Sequence, residues 1–387
     1  VTLYELLHVG LLEYVPFIIL LLALFTISGG VRLTGTLVGT PIVNLSIILI
    51  GTFLASWMGT TGAAMLLIRP LINANKHRKN KVHVIVFFIF LVANIGGSLT
   101  PLGDPPLFLG FLKGVDFFWT TTAMFVPMLI MIFALSIIFF FLDSYYIRKE
   151  GIEIEPQKGK VKLGIEGIFN LGLIIGVIIS VLISGFWKPH ISFEVYSGVH
   201  LELQNLTRDF LLLLLTYASW TYTSQQIRKD NEYTWFPIIE VAKLFAGIFV
   251  TIIPAIAILK AGTNGALSGI INSVSNNGEP VNIMYFWYTG ILSSFLDNAP
   301  TYLVFFNTAG GDPITLMGEL SNTLLAISAG AVFMGANTYI GNAPNFMVKS
   351  IAESSGVEMP SFFGYLFKWS IPFLVPIFII VSWIFFV

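Results

Sequence analysis

Long apolar segments dominate the chain and alternate with short polar connections. Most of them have the roughly 20 residues that an α-helix needs to cross the hydrocarbon core of a bilayer. The pattern therefore predicts an all-α membrane protein whose main partner is the lipid bilayer. The predicted spanning segments lie near residues 11–31, 82–112, 120–142, 166–186, 208–224, 235–259, 321–350 and 364–387.

Two further apolar segments, 41–68 and 281–306, are interrupted by polar and helix-breaking residues. The interruption reads GTTG at 59–62 in the first segment and DNAP at 297–300 in the second. We expect each arm beside an interruption to have about 14 residues or fewer, too few to cross a core of about 30 Å. The pattern favours two re-entrant hairpins with polar tips. The alternative is one kinked spanning helix at each place.

Lysine and arginine predict the orientation in the membrane, because cytoplasmic connections carry an excess of both. Residues 69–81 and 143–165 contain five each, and 223–234 contains two. By contrast, 187–207 contains one and 307–320 contains none. The first three connections are therefore placed in the cytoplasm and the last two outside. In this topology the first hairpin enters the membrane from the cytoplasm, and the second hairpin enters it from the opposite side.

The two halves of the chain also repeat in sequence. One offset of 238 residues aligns SWMGTTG at 56–62 with SFLDNAP at 294–300. The same offset aligns TPLGDPP at 100–106 with TYIGNAP at 338–344. Two motifs in one register are hard to obtain by chance among apolar residues. Together with the opposite orientations of the hairpins, this register predicts an inverted repeat.

The predicted organisation has three parts. A first inverted repeat covers 1–142, a cytoplasmic loop covers 143–165 and a second inverted repeat covers 166–387. The spanning segments 166–186 and 208–224 have no counterpart before residue 11. We therefore expect the native protein to carry additional helices at its N-terminus.

Proline-rich motifs break one predicted spanning segment in each repeat. Residues 100–106 contain three prolines within the segment 82–112, and 338–344 interrupts 321–350. Missing amide donors leave carbonyl oxygens without partners, which costs several kcal/mol each in hydrocarbon unless something binds them. Such oxygens suit a small cation such as Na⁺. The N-termini of half-helices suit an anion equally well, so the backbone leaves the sign of the ligand open.

Two carboxyl groups lie deeper in apolar segments than the other acids among the 21 acidic residues. They belong to Asp104, in the first broken helix, and Asp297, at the tip of the second hairpin. A charge at this depth costs at least about 2.5–3.5 kcal/mol and is a functional candidate. Removal from water disfavours the charged form, so protons would compete with a cation such as Na⁺ at both acids. The alternative is that each acid only caps a half-helix.

Neutral oxygens at the tips and breaks complete the candidate cation or substrate site. Each of these residues could equally satisfy a helix end. No cysteine is present, which excludes a thiolate metal site, and a net charge of −1 argues against nucleic-acid binding. The candidates are Thr60, Thr61, Thr100, Asn298, Asn337, Thr338 and Asn342.

Three phrases carry a family resemblance that covers nearly the whole chain from about residue 11. They are EYVPFIILL at 13–21, NIGGSLTPLGDPPLFLGF at 94–111 and SSFLDNAPTYLVFF at 293–306. With them the chain resembles the ion transporter superfamily, and within it NhaD-type sodium/proton antiporters and proteins assigned as citrate transporters. The resemblance implies a homodimer in the bacterial inner membrane. It also implies a scaffold, a transport domain that moves like an elevator, and cation sites at the tips and breaks. Neither tip keeps the Ser-Asn-Thr that is frequent in this superfamily, which argues against a dicarboxylate site.

These observations favour a sodium/proton antiporter that is not an enzyme and needs no cofactor beyond the transported Na⁺ and H⁺. Na⁺ or two protons would neutralise Asp104 and Asp297 before the site changes access. The alternative is a cation-coupled carrier of citrate or another small carboxylate. An intramembrane aspartyl protease fits less well, because PLGD at 101–104 lacks the first glycine of the Gly-x-Gly-Asp pattern. Occluding hairpins argue against a passive channel.

Overall fold

The computed structural model describes residues 2–151, 162–196, 198–260, 268–276 and 278–387. This part of the chain is mostly helical. The helices are α1 (Thr2–Val9), α2 (Val15–Ser28), α3 (Pro41–Met58), α4 (Thr60–Ala74), α5 (Val82–Leu91), α6 (Pro105–Leu112), α7 (Phe117–Glu150), α8 (Ile168–Phe186), α9 (Leu203–Tyr222), α10 (Gln225–Asp230), α11 (Phe236–Lys260), α12 (Ser268–Val274), α13 (Asn282–Phe295), α14 (Asn298–Thr308), α15 (Pro313–Met317), α16 (Ser321–Met334), α17 (Ala343–Ser354), α18 (Phe362–Tyr365), α19 (Ile371–Phe373) and α20 (Val375–Phe386).

Short antiparallel ribbons supply the remaining regular structure of the described ranges, and each has two strands. Arg32 pairs with Glu166 in the first ribbon, so residues 32–34 are tied to the far end of the predicted cytoplasmic loop. The ribbons are β1 (Arg32–Thr34) with β2 (Gly164–Glu166), β3 (Ser192–Tyr196) with β4 (Val199–Glu202), and β5 (Ser275–Asn276) with β6 (Glu279–Pro280).

Several helices are long and apolar enough to cross a membrane. Among the described residues, five helices meet this criterion, and a sixth span results if the bent pair Phe362–Phe373 and Val375–Phe386 counts as one. This finding confirms the prediction of a multi-pass α-helical membrane protein. The five single helices are Leu3–Ser28, Pro41–Met58, Phe117–Glu150, Ile168–Phe186 and Phe236–Ile258.

Helix α7 extends beyond its predicted end. The sequence predicts a loop over 143–165, but residues 143–150 continue the helix, and 152–161 lie outside the described residues. Gly151 ends the helix in a left-handed conformation with φ of 60°, and its amide donates to the Arg148 carbonyl. Basic residues in the last turn favour the negative end of the helix dipole. The loop therefore begins about eight residues later than the sequence predicts.

The interrupted segment 41–68 forms two helices, α3 and α4, which pack against each other. They meet at Gly59, whose φ of 80° and ψ of 148° lie in a region that favours glycine. Thr60 begins α4 and does not belong to the interruption. The two arms have 18 and 15 residues, and α3 is long enough to cross a membrane, so the prediction of arms of about 14 residues or fewer is wrong for this segment. The arms of the second segment, α13 and α14, have 14 and 11 residues.

Both predicted breaks are irregular, but they begin earlier than the motifs suggest. Helix α5 ends at Leu91, a 3₁₀ turn covers Ile95–Ser98, and α6 begins only at Pro105. Pro105 and Pro106 occupy the first positions of α6, where an amide donor is not needed. In the second repeat α16 passes into a 3₁₀ turn at Gly335–Asn337, and α17 begins at Ala343.

The two helices that lead into the breaks lie at the centre of the molecule. Residues His83 to Leu91 of α5 are all buried, and so are Thr323 to Met334 of α16. A helix that is apolar on every side is stable where other helices surround it. Both breaks are therefore held inside the helical core.

Candidate functional site

The carboxyl group of Asp104 lies where the breaks and the tips meet. Asp104 is 1% exposed and precedes α6 at its N-cap, yet its side chain makes no capping bond. It accepts instead from Nδ2 of Asn298 at 2.6 Å, from Nδ2 of Asn342 at 2.9 Å and from the Thr60 hydroxyl at 3.4 Å. The Thr60 amide also donates to the Gly103 carbonyl at 2.9 Å. Asp104 thus joins separate segments of the chain and does not stabilise its own helix end.

The partners of Asp104 are related by the sequence repeat. Asn342 lies 238 residues after Asp104, and Asn298 follows Thr60 by the same offset. Thr60 and Asn298 are thus equivalent residues of the two tips, and Asn342 is the residue of the second break that is equivalent to Asp104. All three side chains donate to the Asp104 carboxylate. Four of the predicted site residues are brought together in this way.

Asp297 has a different environment. Its side chain is half-buried, and Oδ1 accepts from the Ala299 amide at 3.1 Å, so this acid caps α14. Thr301 donates to the Asp297 carbonyl at 3.0 Å. Asp297 precedes Asn298 directly, so the side chain of Asn298 links the second tip to Asp104.

Two amide oxygens, one in the second tip and one in the second break, are buried without a partner among the described residues. Oδ1 of Asn298 and Oδ1 of Asn337 accept no hydrogen bond from any residue that the structure describes. Asn337 is fixed by its Nδ2, which donates to the Ser294 hydroxyl at 2.9 Å. Leaving a buried acceptor unsatisfied costs about 1–3 kcal/mol. A bound cation would remove this cost.

The threonines of the breaks have a structural role. The Thr100 hydroxyl donates to the Ser56 carbonyl, and the Thr338 hydroxyl donates to the Ser294 carbonyl at 2.5 Å. Both hydroxyls also accept a backbone amide two residues further on, at 3.2 Å. These side chains tie each break to the preceding arm. Thr61, the remaining predicted residue, makes no hydrogen bond to Asp104 or Asp297.

Two asparagines matter more than the sequence motifs indicate. Nδ2 of Asn94 donates to Oδ1 of Asn345 at 2.7 Å, which connects the two breaks directly. Nδ2 of Asn345 donates to the carbonyls of Gly335 and Thr338, both at 2.9 Å. Asn345 directly follows Pro344 in the first turn of α17, and this position beside the break was the available signal.

Close backbone contacts also follow the repeat. A Cβ atom on Gly103 would collide with the Gly97 carbonyl, and a Cβ atom on Gly341 would collide with the Gly335 carbonyl. Both pairs are related by the same offset of 238 residues. Each break therefore folds back on itself, which requires glycine at the point of contact.

Four half-helices begin around this site, namely α4, α6, α14 and α17. Each helix N-terminus carries roughly half a positive charge. The two acids occupy the N-caps of α6 and α14, so the anion-binding ends of these helices are already taken by the protein's own carboxyl groups. No lysine or arginine in the described ranges bonds to Asp104 or Asp297. The site therefore offers carboxylate ligands with no cationic side chain bonded to them, which suits a cation.

Comparison with known proteins identifies the family. No curated protein matches the chain. A family model described as "Putative citrate transport" matches residues 1–386. This match covers nearly the full sequence and agrees with the expectation of a transporter. The chain belongs to the family described as putative citrate transport.

Proposed function

We propose that the protein is a secondary active transporter that exchanges Na⁺ for protons. The observation that carries this proposal is the buried acid Asp104 bonded to Asn298, whose amide oxygen is unpartnered, with no cationic side chain of the described residues bonded to either acid. A small cation fits this donor set, because carboxylate and amide oxygens are hard ligands. Na⁺ or protons neutralise the acids, and only the neutralised site crosses between the two access states.

The architecture in this proposal consists of two inverted repeats, 1–142 and 166–387, each with a re-entrant hairpin and a broken helix. Hydrogen bonds at one constant offset support it, since Thr100 and Thr338 bind Ser56 and Ser294 in the same way. Inverted repeats place ion sites where broken helices meet near the membrane midplane. We further propose a homodimer in the bacterial inner membrane, with a transport domain that moves like an elevator.

Substitution of Asp297 tests the exchange of Na⁺ for protons. Asn keeps the helix cap, so Asp297→Asn is expected to fold and to lose pH-dependent Na⁺ efflux in everted vesicles. Asp312→Asn is a matched control, because Asp312 caps α15 through the Thr315 amide at 2.8 Å on an exposed loop. Full exchange in Asp297→Asn would refute this mechanism.

A second candidate is cation-coupled transport of citrate or another small carboxylate. The family description favours it. The N-termini of α4 and α17 also have neutral N-cap residues: Gly59 has no side chain, and the side chain of Asn342 makes no capping bond. These two helix ends could bind a carboxylate. Uptake of labelled citrate into proteoliposomes, driven by a Na⁺ or proton gradient, separates the two candidates.

A further inference from the structure

A small cavity lies outside the candidate site, at the predicted outer side of the membrane. It has a volume of about 210 Å³, and its lining includes none of the candidate site residues. Residues 11–16 and 201–209 form it, where the predicted spans 11–31 and 208–224 begin. Because lipid headgroups lie at the ends of spanning segments, we expect the cavity at the level of the headgroups. Six lining residues are apolar, namely Leu11, Leu12, Val15, Pro16, Leu201 and Leu206.

A buried arginine in the wall of this cavity has an unused donor. Nε of Arg208 donates to Oδ1 of Asp209 at 2.8 Å, and its Nη1 donates to Oδ1 of Asn205 at 3.2 Å. The guanidinium carbon lies 6.0 Å from the centre of the Phe108 ring. Nη2 is buried and donates to none of the residues that the structure describes. A buried donor on a charged group is costly without an acceptor, so we expect Arg208 to bind one that the described residues do not supply.

Asp209 also lines the cavity, so a basic and an acidic side chain lie side by side in its wall. The bond from Arg208 occupies one of the roughly four lone-pair positions of the Asp209 carboxylate, and this side chain is partly exposed. A simple anion would be attracted by Arg208 and repelled by Asp209, and a simple cation would meet the reverse. A ligand with both a phosphate and an ammonium group satisfies both side chains. Val15 and Leu206 are exposed on the wall, which leaves a path for an attached hydrocarbon chain.

We propose that this cavity binds the headgroup of a zwitterionic phospholipid with a primary ammonium group, such as phosphatidylethanolamine. A phosphate oxygen accepts from Nη2 of Arg208, and the ammonium group donates to the carboxylate of Asp209. The glycerol and the first carbons of the acyl chains contact the apolar wall. Because Arg208 also lies over the Phe108 ring, the bound lipid holds a side chain of α9 against α6. Such a lipid is a structural partner of the protein whichever ion is transported.

Native mass spectrometry of the full chain in a mild detergent tests the identity of this ligand. Phosphatidylethanolamine, phosphatidylcholine and phosphatidylglycerol with identical acyl chains are added in turn to delipidated protein. We expect one phosphatidylethanolamine molecule per protomer, bound about tenfold more tightly than either other lipid. Phosphatidylcholine has no N–H donor for Asp209, and phosphatidylglycerol has no ammonium group. Equal affinity for the three lipids, or no retained lipid, would contradict the proposal.

Two variants place the lipid in the cavity. Arg208→Met removes the donors and should weaken phosphatidylethanolamine binding about tenfold or more. Leu206→Trp narrows the cavity but keeps the charged pair, so it should lose the lipid while its Tm without lipid stays native. Leu213→Trp is the matched control, because Leu213 is exposed about two turns further along the same face of α9 and does not line the cavity. This control should bind the lipid as the native protein does.

Native affinity for phosphatidylethanolamine in Leu206→Trp would overturn the proposal, and this variant decides the matter if Arg208→Met does not fold. Inorganic phosphate provides a last comparison. It should not raise the Tm of the delipidated protein at concentrations at which the lipid does. An equal rise in Tm with inorganic phosphate would show a site for the free anion and refute the phospholipid.

Discussion

At the scale of residues, two acids with the same type of helix position have different structural roles. Asp104 is bound by three donors from three other segments, whereas Asp297 accepts one amide of its own helix. Position in an apolar segment indicates that both acids are functional candidates. It does not indicate which of them caps a helix, because capping depends on the rotamer.

Truncation of the two acids should therefore have unequal effects on stability. Asp104→Ala leaves the buried amide of Asn298 without an acceptor, at about 1–3 kcal/mol, and removes one of the acceptors of the Asn342 amide. Asp297→Ala loses a helix cap, which is worth about 0.5–2 kcal/mol. Thermal unfolding in detergent should show a clearly larger decrease in Tm for Asp104→Ala. Equal decreases would contradict the role assigned to Asp104.

Much of the candidate site follows from sequence, and its remaining parts have a physical reason for being missed. Membrane depth and the repeat identify Asp104, Asn298 and Asn342, because polar groups in hydrocarbon need a partner. The Thr338 hydroxyl donates to the Ser294 carbonyl. This bond depends on the local direction of the backbone, which the sequence motif does not specify. Asn345 is fixed by contacts across the molecular centre that no spacing reveals.

At the scale of elements, helix existence is predicted well and helix ends are not. The apolar pattern locates α7 but not its last turn, since 143–150 is polar and still helical. Ion pairs show the same contrast. The spacing of Glu240 and Lys243 is that of a local pair, which the structure has at 3.4 Å. Glu13 and Lys113 are 100 residues apart and pair at 2.5 Å.

The Glu13–Lys113 pair joins the π-helical turn at Gly10–Tyr14 to the end of α6. Glu13 is 5% exposed, so Lys113→Met should leave a buried carboxylate without its partner and lower the free energy of unfolding by about 1–3 kcal/mol. Chemical denaturation in detergent measures this loss.

Lys243→Met is the control, because its exposed pair with Glu240 should contribute no more than about 0.5 kcal/mol. If Lys113→Met lowers the free energy of unfolding no more than Lys243→Met does, the Glu13–Lys113 pair does not stabilise the contact between α6 and the turn at Gly10–Tyr14.

At the scale of the whole molecule, the orientation in the membrane is the prediction with the simplest test. The chain contains no cysteine, so single cysteines can be introduced without removing native ones. Lys79 and Lys188 are both exposed and lie in connections predicted on opposite sides. Lys79→Cys should react with an impermeant maleimide only from the cytoplasmic side, and Lys188→Cys only from the other side. Reaction of both from one side would invalidate the predicted topology.

The central claim is that the buried acids serve a cation exchanged for protons. Flux in proteoliposomes, with Na⁺, Li⁺, K⁺ and labelled citrate tested in parallel across pH, measures it directly. We expect a proton gradient to drive Na⁺ movement in the opposite direction, with no uptake of citrate. Gradient-driven citrate uptake without exchange of Na⁺ for protons would contradict the account.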